Sequence, residues 1–245
     1  MKPGSFYLNG VHSDDIGALI SERPIIETPN RKIELKEIPG VNGAIPFDDG
    51  SYSNTQMALE IFYMTDDEED LPLQRSRVAA SFLFNRYVEF IPYFDSEKIY
   101  KVINTEYPRF KGNSTFRHFD VFEVTFSVKP FKYLIGSGTY ELLGSSTILN
   151  PTPYEAEPLI TIQGSGDCTL TINGIEYVVK NIVDEVILDS EIQHCYKTVN
   201  GLLVNENSKM YSIDFPVFFP GNNVITWTGA GVTAVTIKPK WRSLV

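Results

Sequence analysis

The sequence predicts a mainly β protein of two domains, and three observations carry that expectation. Aromatic residues form 13% of the 245-residue chain, from 16 Phe, 13 Tyr and 2 Trp. There are also 17 Gly and 15 Pro, the residues a chain needs to reverse direction often. Apolar residues then recur at every second position through many short segments, and only one segment carries a helical spacing. Ring and β-branched side chains suit a pleated, half-buried surface, so the composition and the period agree.

Ser5 to Leu8 reads as a strand that closes on the tight turn Asn9-Gly10. Lys32-Ile33-Glu34-Leu35-Lys36 alternates charged and apolar residues, the period of a half-buried strand, and runs into the turn formers Ile38-Pro39-Gly40-Val41-Asn42-Gly43. Asp48-Asp49-Gly50 reads as a second turn. The run from Thr55 to Met64 places Met57, Leu59, Ile61 and Tyr63 on one face.

The helical segment follows the acidic run Asp66-Asp67-Glu68-Glu69-Asp70 and Leu71-Pro72, with Val78, Ala79, Phe82 and Leu83 forming one stripe. Acids and a proline suit a helix start, where free N–H groups and the dipole favour negative charge. A calcium loop needs spaced ligands around a glycine turn, and these acids are consecutive, so the helix start is preferred.

Strands resume at Tyr87 to Tyr93, turn at Asp95-Ser96 and return through Ile99 to Tyr107. Asp120 to Lys129 puts Phe122, Val124, Phe126 and Val128 on one face and ends at Pro130-Phe131-Lys132-Tyr133. Gly136-Ser137-Gly138, Gly144-Ser145-Ser146 and Asn150-Pro151-Thr152-Pro153 then mark a boundary, giving a first domain over 1–136 and a second over 140–237. In the second, Leu159 to Gln163 leads to a turn at Gly164-Ser165-Gly166-Asp167. Thr169 to Ile172, Asn173-Gly174 and Ile175 to Val179 form a hairpin, and Asn200-Gly201 marks another turn. Phe215 to Phe219, Val224 to Thr228 and Val232 to Ile237 complete a set of strands that points to a β-sandwich.

The formal charge of −10 argues against tight nucleic-acid binding, which needs cations to displace counterions from phosphates. Cys168 and Cys195 are the only cysteines, too few for a disulfide framework, and a reducing cytosol is the expected place of synthesis. The start Met1-Lys2-Pro3-Gly4 lacks a signal-like apolar stretch, and no apolar run reaches the ~20 residues of a membrane span, so no membrane insertion is expected. Asn113-Ser114-Thr115 fits a glycosylation sequon but reads as a chance turn.

No constellation for chemistry emerges. There is no Gly-x-Ser-x-Gly elbow, and Gly164-Ser165-Gly166 lacks the Gly-Lys of a phosphate loop, so it reads as a hairpin turn. His194-Cys195 is adjacent and poorly spaced for zinc, and His12 and His118 stand apart. No carboxylate pair is singled out. No catalytic residue, metal site or cofactor is therefore expected. Tyr196, Tyr211 and Trp227 could stack on sugar rings as glycan contacts, although core packing accounts for them equally and is preferred.

In order and spacing, these segments resemble the distal tail protein (Dit) family of long-tailed, non-contractile bacteriophages. The resemblance runs through Phe6-Tyr7-Leu8-Asn9-Gly10 with Ser13-Asp14-Asp15-Ile16-Gly17, the Ile38–Gly43 turn, the Arg75–Phe84 helix and the strand Val124–Phe131. It continues through Glu157–Gly166, Ile187–Glu191, Phe219-Pro220-Gly221-Asn222-Asn223 and the closing Pro239-Lys240-Trp241-Arg242.

The resemblance implies an N-terminal β-sandwich with one helix and a hairpin extension, followed by a galectin-like or carbohydrate-module-like β-sandwich. It implies that the closing residues 238–245 pack back on the first domain. It further implies a homohexameric ring hub in the virion, at the distal end of the tail, assembled in the host cytoplasm. Such a ring joins the tail tube protein to the tail-associated tip protein and to receptor-binding proteins, and DNA passes through its channel without specific binding. Six such chains carry six times −10, and an acidic lining would keep a duplex from sticking. Edge strands of the first domain are expected to pair between sister copies. The alternative is a carbohydrate-binding module in host adhesion, with an enzyme third.

Overall fold

The computed structural model describes every residue except 67, 105, 112–117 and 143. The sequon Asn113-Ser114-Thr115 lies outside the described residues. The chain divides into two compact units, Met1–Lys132 with Leu244–Val245, and Tyr133–Ser243. Both are built from curled antiparallel sheets in a β-sandwich-like arrangement.

The first unit contains β1 (Phe6–Leu8), β2 (Val11–His12), β3 (Ala18–Ile20), β4 (Arg31–Glu37), β5 (Ala44–Tyr52), β6 (Thr55–Met64), β7 (Val88–Pro92), β8 (Lys98–Asn104), β9 (Arg109–Phe110) and β10 (Phe119–Val128). Its main sheet runs β2-β1-β7-β8-β10-β6-β3. β6 and β10 pair over their whole length, from Phe119 opposite Met64 to Val128 opposite Thr55. The alternation seen in sequence is realised there: Met57, Leu59, Ile61 and Tyr63 are buried beside Phe122, Val124, Phe126 and Val128.

One short helix, α1 (Ser13–Ile16), precedes β3, and the longer α2 (Leu71–Ser81) lies between β6 and β7. The acidic run enters α2 through a 3-10 turn at Glu68–Asp70, and Pro72 sits in the first turn, where its missing N–H costs nothing. Val78 and Phe82 are buried, and the Phe82 ring lies 5.3 Å from Phe122 and 6.0 Å from Phe6 between ring centroids. Arg75 of α2 pairs at 2.5 Å with Asp120 of β10, a carboxylate that is only 1% exposed. Tyr63 donates its hydroxyl proton to the same carboxylate, at 3.2 Å. A buried charge needs such partners, so this cluster fixes the helix on the sheet.

Two expectations for this unit change. β4 is not half-buried, because every one of its residues is exposed. Asp48-Asp49-Gly50 is not a turn but lies within β5, where the register slips between Arg31 opposite Tyr52 and Ile33 opposite Asp48. The Asp48 and Asp49 carboxylates each accept a backbone N–H two residues on, from Gly50 and Ser51, which shapes a bulge rather than a reversal.

β11 (Phe131–Leu134) carries the chain into the second unit, which holds β12 (Tyr140–Leu142), β13 (Ser146–Asn150), β14 (Leu159–Ile172), β15 (Ile175–Asp189), β16 (His194–Val199), β17 (Leu202–Asn205), β18 (Gly221–Thr228) and β19 (Val232–Lys238). The last strand, β20, spans Arg242–Leu244. The sheet of the second unit runs β12-β19-β14-β15-β16-β17, with β18 on β14 and β13 on β18. β14 pairs with β19 through its first half and with β18 through its second. It bends between them so that Ile160, Ile162, Leu170 and Ile172 all enter one core.

That bend corrects a further reading. Gly164-Ser165-Gly166-Asp167 is not a hairpin turn; it lies inside β14, with register shifts against β15 and β19. A Cβ on Gly164 would stand 2.2 Å from the Gly231 carbonyl oxygen, so two backbones approach there as only glycine permits. Phe215–Phe219 is also not a strand. Pro216 and Pro220 lack the N–H groups a ladder needs, and the segment makes only a bridge from Phe218 to Ala156.

The turns at Asn9-Gly10, Asn173-Gly174 and Asn200-Gly201 are as the sequence predicts, whereas Asn42-Gly43 ends the longer connection between Glu37 and Ala44. Leu8 opposes Val11, Ile172 opposes Ile175 and Val199 opposes Leu202. In each, both central residues have positive φ, from 51° at Asn9 to 85° at Gly174, the backbone of a two-residue hairpin that matches strand twist.

Candidate interaction surfaces

The β4–β5 hairpin forms a two-stranded sheet of its own. Its register sets Ile33 opposite Asp48 and Leu35 opposite Pro46, so Ile33, Leu35 and Pro46 share one face with Asp48, whose charge Arg31 takes. Ile33 is 50% exposed and Leu35 is 67% exposed. On the other face, Phe47 lies opposite Glu34, and the Lys36 ammonium stands 4.9 Å from the Phe47 ring. Arg31 anchors the base, 2.6 Å from Asp48 and over the Tyr52 ring. Its guanidinium holds the Asp48 carboxyl below the usual carboxylate range, helped by the Gly50 N–H. Sequence alternation marks this face as apolar, but does not say which chain covers it.

In the second unit, Lys240 stands 2.9 Å from Asp189 and 3.0 Å from Glu191, and the Tyr133 hydroxyl donates to Glu191 at 3.0 Å. Burial works against the Lys240 charge, yet its two carboxylates leave the ammonium pKa above its ordinary value. Arg242 pairs with Glu157 and donates from Nε to the Glu155 carbonyl at 2.7 Å. These contacts have the form of a structural network, with all three acids spent on cations.

Among the described residues, no group of three His, Cys, Asp or Glu is placed to hold a metal ion. Both cysteines are buried as free thiols, and burial pushes each thiol pKa up to about 11, the opposite of nucleophile activation. His12 accepts the Asp14 N–H through Nδ1, a local cap.

Tyr196, Tyr211 and Trp227 do not converge. Trp227 lies opposite the buried Leu170 and packs against the second core. Tyr196 sits beside Ile187 on β15, whereas the Tyr211 N–H bonds to the Val178 carbonyl of the same strand. Those two points lie nine residues apart along β15. The Tyr211 ring also has Lys180 over it at 4.4 Å. Core packing accounts for Trp227, and the two tyrosines occupy separate places.

The outermost strand, β17, exposes Leu202, Leu203 and Val204. Sequence reading noted its Asn-Gly turn and passed over the strand itself. The signal was there, three apolar residues in a row directly after a hairpin turn.

No protein-family model matches the sequence. No curated protein matches it either. Solved structures do. The Dit protein of phage SPP1, described as a paradigm of hub adsorption apparatus in Gram-positive infecting phages, matches with a TM-score of 0.70 at 15% identity, over 98% of this chain and 99% of that one. This chain has the fold of that phage hub protein. A chain of the phage P2 baseplate, in its activated conformation with Ca, matches with a TM-score of 0.53 at 8% identity, over 96% and 97% of the two chains. The same baseplate with Sr gives a TM-score of 0.50 at 9% identity, over 97% and 99%. At these identities the likeness is one of fold, and it joins the resemblance read from the motifs.

Proposed function

We propose that this chain is a structural hub protein of a bacteriophage tail tip, built to assemble rather than to catalyse. The observation that carries the reading is the bare β4–β5 hairpin. A lone two-stranded hairpin is marginal in water, and an exposed apolar face of this kind marks an interaction site. Seated on a sister copy, Ile33, Leu35 and Pro46 gain the cover that their own chain does not give. A contact between unlike surfaces closes into a ring when the rotation allows.

In the finer reading the first unit forms a homohexameric ring. One face meets the tail tube protein, the other the tail-associated tip protein, and receptor-binding proteins attach further out. DNA crosses the central hole without being bound, a passage that the net charge of −10 per chain supports by repelling phosphates. The hub description of the SPP1 protein, whose fold covers almost all of this chain, supports the same placement.

The test is the mass and image of the purified protein. Electron microscopy and mass photometry are expected to show closed rings with a central hole. A strict monomer, both alone and when mixed with tail partners, would refute the proposal.

A further inference from the structure

We infer that the free edge of β17 is a docking site for an extended, uncharged segment of a different protein, added as a further strand to the sheet of the second unit. This site lies on another unit and another element than the hairpin, and stands or falls separately from ring formation.

Backbone geometry comes first. Val199 and Leu202 flank the two-residue turn, so they exchange both hydrogen bonds, as do Lys197 and Val204 two residues on. The Glu206 N–H bonding to the Cys195 carbonyl at 2.8 Å continues the same series. Leu203 and Asn205 therefore direct their N–H and C=O groups away from β16, off the end of the sheet. Sheets guard such edges with lysine, proline or a bulge. Leu202-Leu203-Val204 has none of these.

Side chains then define the occupant. Leu202 is 72% exposed and Leu203 is 65% exposed, and they point to opposite faces. A strand laid beside them meets apolar surface on both sides, which calls for apolar or neutral residues at successive positions. The nearest charges are already spent: Glu206 takes Lys209 at 2.8 Å and Lys197 at 3.6 Å. Glu185 accepts the Thr198 N–H at 3.3 Å, opposite Leu203, so the remaining charge near the edge is negative and works against an acidic partner.

Size excludes a stable dimer through this edge alone. β17 is four residues long, about 13 Å at ~3.3 Å per residue. Two such edges side by side cover a few hundred Å², well under the roughly 1,200–2,000 Å² of a stable interface. An extended segment suits this edge when its parent protein is held nearby by other contacts, because tethering raises its effective concentration.

The probe is an acetylated, amidated octapeptide alternating valine and threonine, with a second peptide carrying glutamate at the threonine positions. The full chain is titrated to about 1 mM peptide, and binding is read by amide hydrogen exchange and isothermal titration calorimetry. The neutral peptide is expected to protect the Leu203 and Asn205 amides. Leu203→Pro removes an outward donor and no bond within the hairpin, so the fold persists while affinity falls roughly tenfold or more. Leu203→Lys is expected to weaken binding likewise. The inference is overturned by unprotected Leu203 and Asn205 amides, by equal binding to Leu203→Pro, or by equal binding of the glutamate peptide. Protection that rises with protein concentration alone would assign the edge to a second copy and overturn it too.

Discussion

Replacing Ile33 and Leu35 together by threonine separates an interface from a core. Threonine keeps the strand propensity of β4 but carries a hydroxyl that resists burial. Fully burying an Ile or Leu side chain contributes about 1.5–3 kcal/mol. Ile33 has 50% of its surface in water and Leu35 has 67%, so docking has roughly 1–2 kcal/mol still to gain at each. The pair then contributes roughly 2–4 kcal/mol per interface, which weakens each contact about 30- to 700-fold when lost. Every interface of a ring bears the loss, so rings disappear at micromolar protein. The isolated chain should hardly notice, because exposed substitutions fall within about 0.5 kcal/mol. Sedimentation velocity over a concentration series reads the first effect and thermal unfolding of the monomer reads the second. An unchanged oligomer distribution, or a large drop in the monomer's Tm, would show that the hairpin face is not what holds copies together.

Two further predictions concern the fold that carries these surfaces. Gly164→Ala forces a Cβ to within 2.2 Å of the Gly231 oxygen, whereas Gly166→Ala meets nothing within 4 Å. Both have positive φ, 131° and 86°, so backbone strain of about 1–3 kcal/mol is common to them, and Gly164→Ala should melt several degrees lower still; equal melting points would refute the close approach. The second prediction is alkaline. Burial, with a hydrogen bond to Asp95, pushes the Tyr100 hydroxyl well above its ordinary pKa of 10.0, and burial beside Glu191 does the same for Tyr133. A folded pKa above the unfolded one gives a contribution complete below the ordinary value and lost as pH rises, so urea stability should decline from about pH 10 upward. Tyr100→Phe should decline less steeply over that window, and an identical slope would count against the assignment.

The parts of the fold legible in sequence are those governed by local rules. Asn9-Gly10, Asn173-Gly174 and Asn200-Gly201 each take positive φ at two successive residues and close a hairpin, while Asn42-Gly43 sits in a longer connection with positive φ at Gly43 alone. The two ten-residue strands read correctly because each buries every second residue against its own unit. Other elements depended on information a local window lacks. Gly164 to Asp167 carries turn formers, yet a bulge in one long strand uses the same residues as a turn between two short ones. Trp227 looked available for a sugar until its register opposite Leu170 turned it inward. The hairpin was the most instructive case. Its alternation promised a buried face, and the period was right, but no described part of the chain covers it.

That hairpin is also better ordered than an unpartnered one needs to be. Arg31 bonds Asp48 and lies over Tyr52, Lys36 covers Phe47, and Asp48 and Asp49 tie down the bulge through the Gly50 and Ser51 amides. Each is a surface contact that contributes little alone, too little to bury anything but enough together to hold a shape. Association is costly when it must order a loop as well as join two molecules. A strand pair that is already paired, braced at its base and apolar on one side avoids most of that ordering cost. Order without burial is what a preformed contact surface requires, and it is the physical reason for reading β4 and β5 as the means by which copies of this chain meet.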